Sequence, residues 1–229
     1  MRENFKQQMA SVEAEVVDII REVGVTTRKA TEALVNGDAV AAEEIIHGDA
    51  VFDERCVGVE ERVLEIIATQ FPVARDLRFL QSMAFIAMHE ERMADLAVNI
   101  AKAARRTSTR KGPQTLCDLI QAQGNLVYRV IDATREALEN RDLELTLKLP
   151  ELDEPIDHLY KQFFRELSRL QDEESIDWAS SMVLAARYLE RIADNSVDIG
   201  ERIAYLITGE RDMLDDVSND TNEEPIGKE

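Results

Sequence analysis

A ten-residue stretch occurs twice in this chain, as ERMADLAVNI at residues 91–100 and as ERIADNSVDI at residues 190–199. Six of the ten positions are identical, and the two copies start 99 residues apart in a chain of 229. Self-similarity at a fixed offset is the sequence signature of a repeat architecture, in which each copy folds into the same unit. We therefore expect a fold that consists of two similar halves.

Each half is predicted to be helical. Turn-forming stretches are few, and the segments between them are rich in Ala, Leu, Glu, Arg and Ile, which favour helices. In the last segment, apolar residues such as Leu189, Ile192 and Ile199 recur at intervals of three and four, and no stretch alternates convincingly enough to be a strand. Five breaks separate six segments, and they fall at residues 36–38, 71–72, 107–113, 140–142 and 171–175. The sequence predicts an all-α fold of two tandem three-helix bundles related by internal duplication.

The break at residues 107–113 separates the two halves. We predict a first repeat at residues 1–107, a linker at 108–112 and a second repeat at 113–208. The remaining residues, 209–229, contain eight acidic residues and few apolar ones. A segment of this composition cannot bury enough apolar surface to fold, so we expect a disordered tail. The alternative is a tail that docks to regulate the protein.

The overall composition limits the partners and the location of the protein. The chain is 45% hydrophobic and 32% charged, and its net charge of −19 repels the phosphate backbone of nucleic acids. It has no apolar run of the roughly 20 residues that a membrane-spanning helix needs, and its first residues contain no apolar signal core. Cys56 and Cys117 match neither a metal-binding spacing nor a disulfide framework. We expect a cytoplasmic protein that neither enters membranes nor binds nucleic acid.

Both copies of the repeated stretch carry acidic residues at a spacing of one helical turn. Glu91 and Asp95 form a pair in the first copy. In the second copy, Glu190, Asp194 and Asp198 extend the row to three carboxylates. Residues four apart share one face of a helix, and this face is turned away from the apolar stripe. The acidic rows are therefore not expected in the core.

The preceding segment of each half carries a matching acidic pair. These pairs are Asp49 with Asp53 and Asp153 with Asp157. An antiparallel neighbour could bring each pair opposite the later row, so that each half would present four or five carboxylates around one spot. Carboxylate oxygens alone suit hard cations, and we expect divalent or ferric ions among Mg²⁺, Mn²⁺, Ca²⁺, iron and Zn²⁺.

A different interpretation of the acidic rows is a solvated face that arginine side chains screen. Arg187, Arg191 and Arg202 lie three or four residues from the second row and could screen it. The three histidines stand near acidic pairs in the sequence, but residues one or two apart point in different directions on a helix. We expect all three to be surface residues, and they are His47, His89 and His158.

Four sequence elements resemble those of the PhoU family, whose members regulate phosphate uptake and phosphate-starvation signalling. They are QFPVARDLR at residues 70–78, ERMAD at 91–95, ERIAD at 190–194 and the acidic pairs at 49/53 and 153/157. The resemblance extends over about residues 1–208. It implies two three-helix bundles whose E/D-x-x-x-D motifs can bind multinuclear metal clusters.

The resemblance also implies a function. Family members are cytoplasmic, often dimeric proteins without catalytic activity, and they dampen the phosphate response when phosphate is plentiful. Their expected partners are the phosphate transporter's ATPase and the sensor histidine kinase that responds to phosphate. Carried over by position, the expected metal ligands are Asp49, Asp53, Glu91 and Asp95 in the first half and Asp153, Asp157, Glu190, Asp194 and Asp198 in the second.

Two departures from the family pattern affect the expected sites. Asn99 stands where the second copy has Asp198, and an amide brings no charge, so we expect the second row to bind metal more strongly. Pro150 and Pro155 flank the second acidic pair within an expected helix, where a proline removes a hydrogen bond and kinks the helix.

Two other classes of protein compete with this interpretation. A ferritin-like di-iron oxidase is also a carboxylate-rich helical bundle, but it needs two E-x-x-H motifs, and this chain offers only Glu44-x-x-His47. A structural adaptor would use the acidic rows to bind basic partner surfaces without metal. The chain shows no Gly-rich phosphate loop and no Ser/Cys–His arrangement, so we expect no enzyme activity.

Overall fold

The computed structural model describes residues 2–109, 112–169 and 176–210. Within these ranges the chain forms helices and connecting turns without strands, which confirms the all-α prediction. The predicted break at residues 171–175 and the acidic tail beyond residue 210 lie outside the described residues. The helices are α1 (Arg2–Asn36), α2 (Ala39–Gln70), α3 (Ala74–Thr107), α4 (Gln114–Asn140), α5 (Leu143–Leu147), α6 (Leu149–Leu167) and α7 (Ile176–Thr208).

Local sequence explains where the chain turns between helices. After α1 the chain turns at Gly37, whose φ of +67° suits a residue without a Cβ atom. Asp38 then caps α2, because its side chain accepts hydrogen bonds from two backbone N–H groups of the first turn, at 3.1 and 3.0 Å. Asp142 caps α5 through the backbone N–H of Leu145 at 3.0 Å. These turns coincide with the breaks predicted at residues 36–38 and 140–142.

The helices form two bundles that share one hydrophobic core. α1, α2 and α3 pack together in the first bundle, and α4, α6 and α7 pack together in the second. α1 also packs along α4, and α3 packs along α7. His89 on α3 lies beside Asn195 on α7, and Arg106 lies beside Ser181, so these two helices are antiparallel. The predicted duplication is confirmed, and the apolar side chains of both repeats continue into one core.

The second repeat contains one helix more than predicted. α5 has only five residues, and α6 begins with Pro150 in its first turn. A proline costs little there, because the N–H groups of a first turn have no intrahelical partner. Pro155 lies inside α6, which nevertheless continues as one helix. Asp153 and Asp157 therefore stay on a single helix in spite of the two prolines.

The helix ends can be compared with the domain limits predicted from the sequence. α3 ends at Thr107, α4 begins at Gln114 and α7 ends at Thr208. The predicted limits at residues 107, 113 and 208 lie at or next to these ends. Among the described helices, none contains a stretch long and apolar enough to cross a membrane.

An arginine on α2 ties this helix to α1. Arg55 donates hydrogen bonds to Glu15, Asp18 and Glu22, with N···O distances of 2.7, 2.7 and 2.6 Å. The three acids follow one another at intervals of three and four on one face of α1. The guanidinium is partly shielded from water, so salt screens these ion pairs less than fully exposed ones. The network fixes α2 beside α1 and so helps to position the acidic pair on α2.

The core of the first repeat contains a buried carboxyl group. Glu90 on α3 is 0% exposed, and neither of its side-chain oxygens has a hydrogen-bond partner among the described residues. The second repeat has Leu189 at the corresponding position, where it is also fully buried. Burial raises the pKa of Glu90 well above its usual range, and the charge of Arg55 opposes this only in part. The first repeat therefore carries a destabilising group that the second repeat lacks.

We predict that Glu90→Leu stabilises the protein, because it replaces an unpartnered buried carboxyl group with the side chain of the other repeat. The free energy of unfolding at neutral pH, measured by urea denaturation, should rise by about 1–3 kcal/mol. A carboxyl group with a raised folded-state pKa loses stability as pH rises above its ordinary value of 4.5. The gain should therefore be larger at about pH 8 than at about pH 5.

Glu90→Gln is the control of matched size for this prediction. It removes the ionisable group but keeps a buried polar side chain, so it should gain less than Glu90→Leu. An unchanged or lower free energy of unfolding for Glu90→Leu would show that the carboxyl group is stabilising where it is.

Candidate metal centre

The four acidic residues predicted in the first repeat lie on the neighbouring helices α2 and α3. Asp49 and Glu91 are half-buried, whereas Asp53 and Asp95 are exposed. Burial raises the pKa of Asp49, and the negative charges of Asp53 and Asp95 raise it further. The pKa of Glu91 is raised by burial and then by Asp95 and Asp53. The structure therefore brings the acidic pair of α2 and the acidic pair of α3 to one place.

The second repeat brings together the corresponding residues of α6 and α7. Asp153, Asp157 and Glu190 are half-buried, and Asp194 is exposed. Burial, followed by the negative charges of Asp194, Asp157 and Glu190, raises the pKa of Asp153 to about 7. A proton on this carboxyl group is therefore retained to much higher pH than on an ordinary aspartate. The proton relieves the same repulsion that a bound cation would relieve.

One carboxylate oxygen of each acidic site is buried without a partner. Oδ1 of Asp49 and Oδ1 of Asp153 are shielded from water, and neither accepts a hydrogen bond from the described residues. The two residues hold the same place in their acidic pairs. A buried oxygen without a donor costs free energy, which a coordinated cation would offset. This feature, present in both repeats, fits the hard cations expected from the sequence.

The distances between the carboxylates set a condition for metal binding. Among the described residues, no three His, Cys, Asp or Glu side chains are gathered closely enough to hold a metal ion as they stand. Rotation about the side-chain bonds would therefore have to bring the carboxylates together around an ion. The donors are carboxylate oxygens alone, which suit Mg²⁺, Ca²⁺, Mn²⁺ and iron better than Zn²⁺, for which Cys and His are frequent ligands.

Arginine takes part in the second site, as the alternative interpretation of the rows expects. Arg187 forms an ion pair with Glu190 through its Nη1 atom and the Oε2 atom of the carboxylate. Burial raises the pKa of Glu190, and the charge of Arg187 lowers it. Burial and Asp157 raise the pKa of Asp194, whereas Arg187 and Arg191 lower it. The second site thus contains positive as well as negative side chains.

Asp198 lies at the interface between the two repeats. Its Oδ2 atom is 3.7 Å from Nδ1 of His89 on α3, and the same nitrogen is 2.9 Å from Oδ1 of Asn195. Asp198 still raises the pKa of its neighbour Asp194. One of its oxygens, however, faces the first repeat, and this direction could not be read from its position in the acidic row.

One of the three histidines is not a surface residue. The prediction is wrong for His89, whose side chain is 12% exposed and packs against the ring of Phe85 between α3 and α7. His47 and His158 are exposed, which confirms the prediction for these two. Arg202, one of the arginines expected to screen the second row, lies over the ring of Phe85 at 3.9 Å from its centroid.

Two features beside the first site were not predicted from the sequence. Glu90 is buried in the core although Glu91 belongs to the acidic row. Burial, followed by the charges of Glu90 and Glu91, raises the pKa of the Cys56 thiol to about 12, so the thiolate that binds metals is scarce at neutral pH. The signal for Glu90 was present in the duplication, since Leu189 marks the same position as part of the core.

We predict that Asp153→Asn removes a pH dependence of stability from protein treated with a chelator. The folded-state pKa of about 7 lies above the ordinary value of 3.8, so the folded state binds more protons between these pH values. The contribution of Asp153 to stability is therefore fully present below about pH 4 and is lost as pH rises through 7. At about pH 8 the variant should be more stable than wild type by roughly 1–2 kcal/mol, below the full linkage value because part of the side chain meets water.

The measurement is the free energy of urea unfolding between about pH 4 and pH 8. Glu154→Gln, which changes an exposed carboxylate on the same helix, is the control and should keep the wild-type profile. Parallel profiles for wild type and Asp153→Asn would contradict the prediction.

Comparison with known proteins agrees with the internal duplication. The PhoU domain pattern matches residues 16–104 and again residues 120–203. A phosphate-specific transport system accessory protein PhoU homolog from Clostridium acetobutylicum is 33% identical over 188 residues, which cover 81% of this chain and 85% of that protein. Both repeats of the chain therefore have counterparts among known proteins.

Two solved structures have a similar fold. The crystal structure of PhoU from Pseudomonas aeruginosa superposes with a TM-score of 0.85 at 24% sequence identity, and covers 90% of this chain and 100% of that chain. The phosphate transport system regulatory protein PhoU from Streptococcus pneumoniae superposes with a TM-score of 0.82 at 27% identity, and covers 92% and 100%.

The fold and the site together define a class of protein. It is a duplicated helical-bundle protein in which each repeat sets two acidic pairs against each other across neighbouring helices. The PhoU domain matches both repeats, and together the two matches cover more than half of the chain. The chain belongs to the PhoU family.

Proposed function

We propose that this protein is a negative regulator of phosphate uptake and of phosphate-starvation signalling, without catalytic activity. In this role it couples the phosphate transporter's ATPase to a sensor histidine kinase. The relative from C. acetobutylicum is named an accessory protein of phosphate-specific transport, and PhoU of S. pneumoniae is described as a regulatory protein of phosphate transport. Family membership over both repeats supports the same role here. The family resemblance also supports a cytoplasmic homodimer.

One observation supports a metal-dependent form of this function. The first aspartate of the acidic pair in each repeat, Asp49 or Asp153, has a buried oxygen without a hydrogen-bond partner. A divalent or ferric ion at each place would supply the positive charge that the facing carboxylates lack. The side chains supply the oxygen donors, and their partial burial strengthens their attraction for a cation. The residues that would hold the ions are Asp49, Asp53, Glu91 and Asp95 in the first repeat and Asp153, Asp157, Glu190, Asp194 and Asp198 in the second.

Cation binding would change the surface that a partner meets. Asp53, Asp95 and Asp194 are exposed, so each acidic row reaches from a half-buried groove to the protein surface. When the rows are neutralised, their attraction for basic partner surfaces falls, and α2–α3 and α6–α7 are held together more firmly. The binding of metal and the binding of a partner are coupled in this way.

A second candidate function is an adaptor that binds basic partner surfaces without metal. The exposed members of the acidic rows and the net charge of −19 favour it. The structure gives no support to the di-iron oxidase, because Glu44 and His47 are both exposed and do not face the interior of a bundle. Metal analysis separates the two candidates.

We predict that the protein binds divalent or ferric ions and that Asp49→Asn combined with Asp153→Asn abolishes most of this binding. Bound metal should raise the melting temperature, because a ligand that binds only the folded state stabilises it by mass action. Saturation at about 100 times the dissociation constant would add roughly 2.7 kcal/mol for each site. The measurements are elemental analysis, metal titration and calorimetry.

Glu61→Gln, which changes an exposed carboxylate on the outer face of α2, is the matched control and should bind metal like wild type. If neither wild type nor the control holds any divalent or ferric ion, the acidic rows act as a docking surface for a basic partner.

The regulatory role has its own test in a bacterium that lacks its family member. Expression of this chain should restore repression of a phosphate-starvation reporter in phosphate-rich medium, and the transporter's ATPase and the sensor kinase should co-purify with it. The double variant at Asp49 and Asp153 should restore repression poorly. Absence of both repression and co-purification would refute the regulatory role, whereas full repression by the double variant would favour the metal-free adaptor.

A further inference from the structure

The two acidic sites differ in the residue that lies three positions before the glutamate of each row. At the offset of 99 residues that aligns the two copies, Arg187 in the second repeat corresponds to Met88 in the first. Each lies three residues before the glutamate of its row, and therefore on the same helix face as that glutamate. Met88 is 49% exposed and carries no charge. The duplicated sites thus share four carboxylates, but only the second has an arginine three residues before the glutamate of its row.

Arg187 lies in the groove between α6 and α7 that contains the second site. Its guanidinium forms an ion pair with Glu190, whose side chain is only 12% exposed. The guanidinium carbon lies 6.0 Å from the ring centroid of Tyr160 on α6. Tyr160 follows Asp153 and Asp157 at a helical spacing, so these three side chains share the face of α6 that meets α7. The arginine therefore bridges the two helices that supply the carboxylates.

We propose that Arg187 is a built-in counter-ion of the second site, which a cation must displace from Glu190 before that site can bind it. This inference rests on the metal-binding function proposed above. The charges of Arg92 and Lys102 act on the first site from a distance, but within the described part of the chain no arginine or lysine forms an ion pair with Glu91 as Arg187 does with Glu190. The first site therefore binds cations more tightly than the second.

This order is the reverse of the one expected from the sequence. That expectation depends on Asp198, which gives the second row one carboxylate more than the first. In the structure, Oδ2 of Asp198 lies 3.7 Å from the ring of His89 in the other repeat, and Arg187 adds a positive charge next to Glu190. The extra acid and the arginine offset each other in net charge, and the arginine also occupies one of the oxygens that would bind the ion.

The counter-ion gives the two repeats different responses to the loss of metal. Without a cation, Glu190 keeps its ion pair with Arg187 within α7, and the guanidinium of Arg187 keeps its contact with Tyr160 on α6. The facing carboxylates of α2 and α3 meet mainly like charges, and the charges of Lys102 and Arg92 offset the raised pKa values of Asp49 and Glu91 only in part. The geometry of the first repeat depends on the cation, whereas the second repeat has a substitute for it within the chain.

The test isolates each site in the full-length chain and titrates it with Mn²⁺ by calorimetry. Asp49→Asn with Asp95→Asn leaves the second site, and Asp153→Asn with Asp194→Asn leaves the first. In the second-site background, Arg187→Met should tighten Mn²⁺ binding by about tenfold, and Arg187→Lys, which keeps the charge, should change it little. In the first-site background, Met88→Arg should weaken binding by about tenfold.

A folding control and two contradicting outcomes complete the test. Circular dichroism establishes that each variant is folded, and if Arg187→Met is not folded, the reciprocal Met88→Arg variant decides the question. Tighter binding by the second-site background than by the first-site background would overturn the proposed order, as would Mn²⁺ affinities that do not respond to Arg187→Met and Met88→Arg.

The failure of this inference can be told apart from the failure of the proposed function. If wild type binds Mn²⁺ and the variants at Arg187 and Met88 bind it equally well, the counter-ion is refuted and the metal-binding function stands. If wild type binds neither Mn²⁺ nor any other divalent or ferric ion, both proposals are wrong.

Discussion

Apolar packing of α1 and α3 against α4 and α7 holds the rest of the structure in place. Large side chains such as Ile86 on α3 and Ile192 on α7 are fully buried, and each contributes about 1.5–3 kcal/mol relative to an exposed position. A pair of like charges one turn apart on a helix costs only about 0.2–0.5 kcal/mol. The core therefore outweighs the repulsion within the acidic rows and holds Asp49 near Asp95 and Asp153 near Asp194. The acidic rows are destabilising, and the stability of the core compensates for them.

Much of the fold could be predicted from the sequence, because the signals for it are local or repeated. Gly37 and Asp142 mark turns by their own backbone and capping preferences, and the duplicated stretch indicates two equal halves. The direction of Asp198 could not be predicted in this way. α7 has α3 on one side and α6 on the other. The rotation of α7 about its own axis decides which of these helices Asp198 faces. His89 was placed wrongly for the same reason, since only packing between the repeats buries it.

Comparison of the two copies shows which acidic residues face the core, which the spacing of the acids does not show. Glu90 belongs to the same run of acids as Glu91, and spacing alone gives no reason to separate them. The aligned Leu189 does give one, because a leucine inside an amphipathic helix marks the core face. The break between α5 and α6 is a similar case, since Pro150 suits the first turn of a helix as well as it disrupts the middle of one. In both cases the position within the element decides the effect of the residue.

Two differences between the repeats weaken the first one in the absence of a ligand. The first repeat has an unpartnered buried carboxyl group at Glu90, where the second has Leu189. It also has Met88 where the second has Arg187, so among the described residues no arginine forms an ion pair with Glu91. Regions of low local stability change most in stability and order when a ligand binds, because the ligand stabilises only their folded form. The second repeat has an apolar core position and an internal cation, so its stability depends less on a ligand. The long α3–α7 contact joins the two sites, because His89, two residues from Glu91, contacts Asn195 and Asp198 of the second repeat.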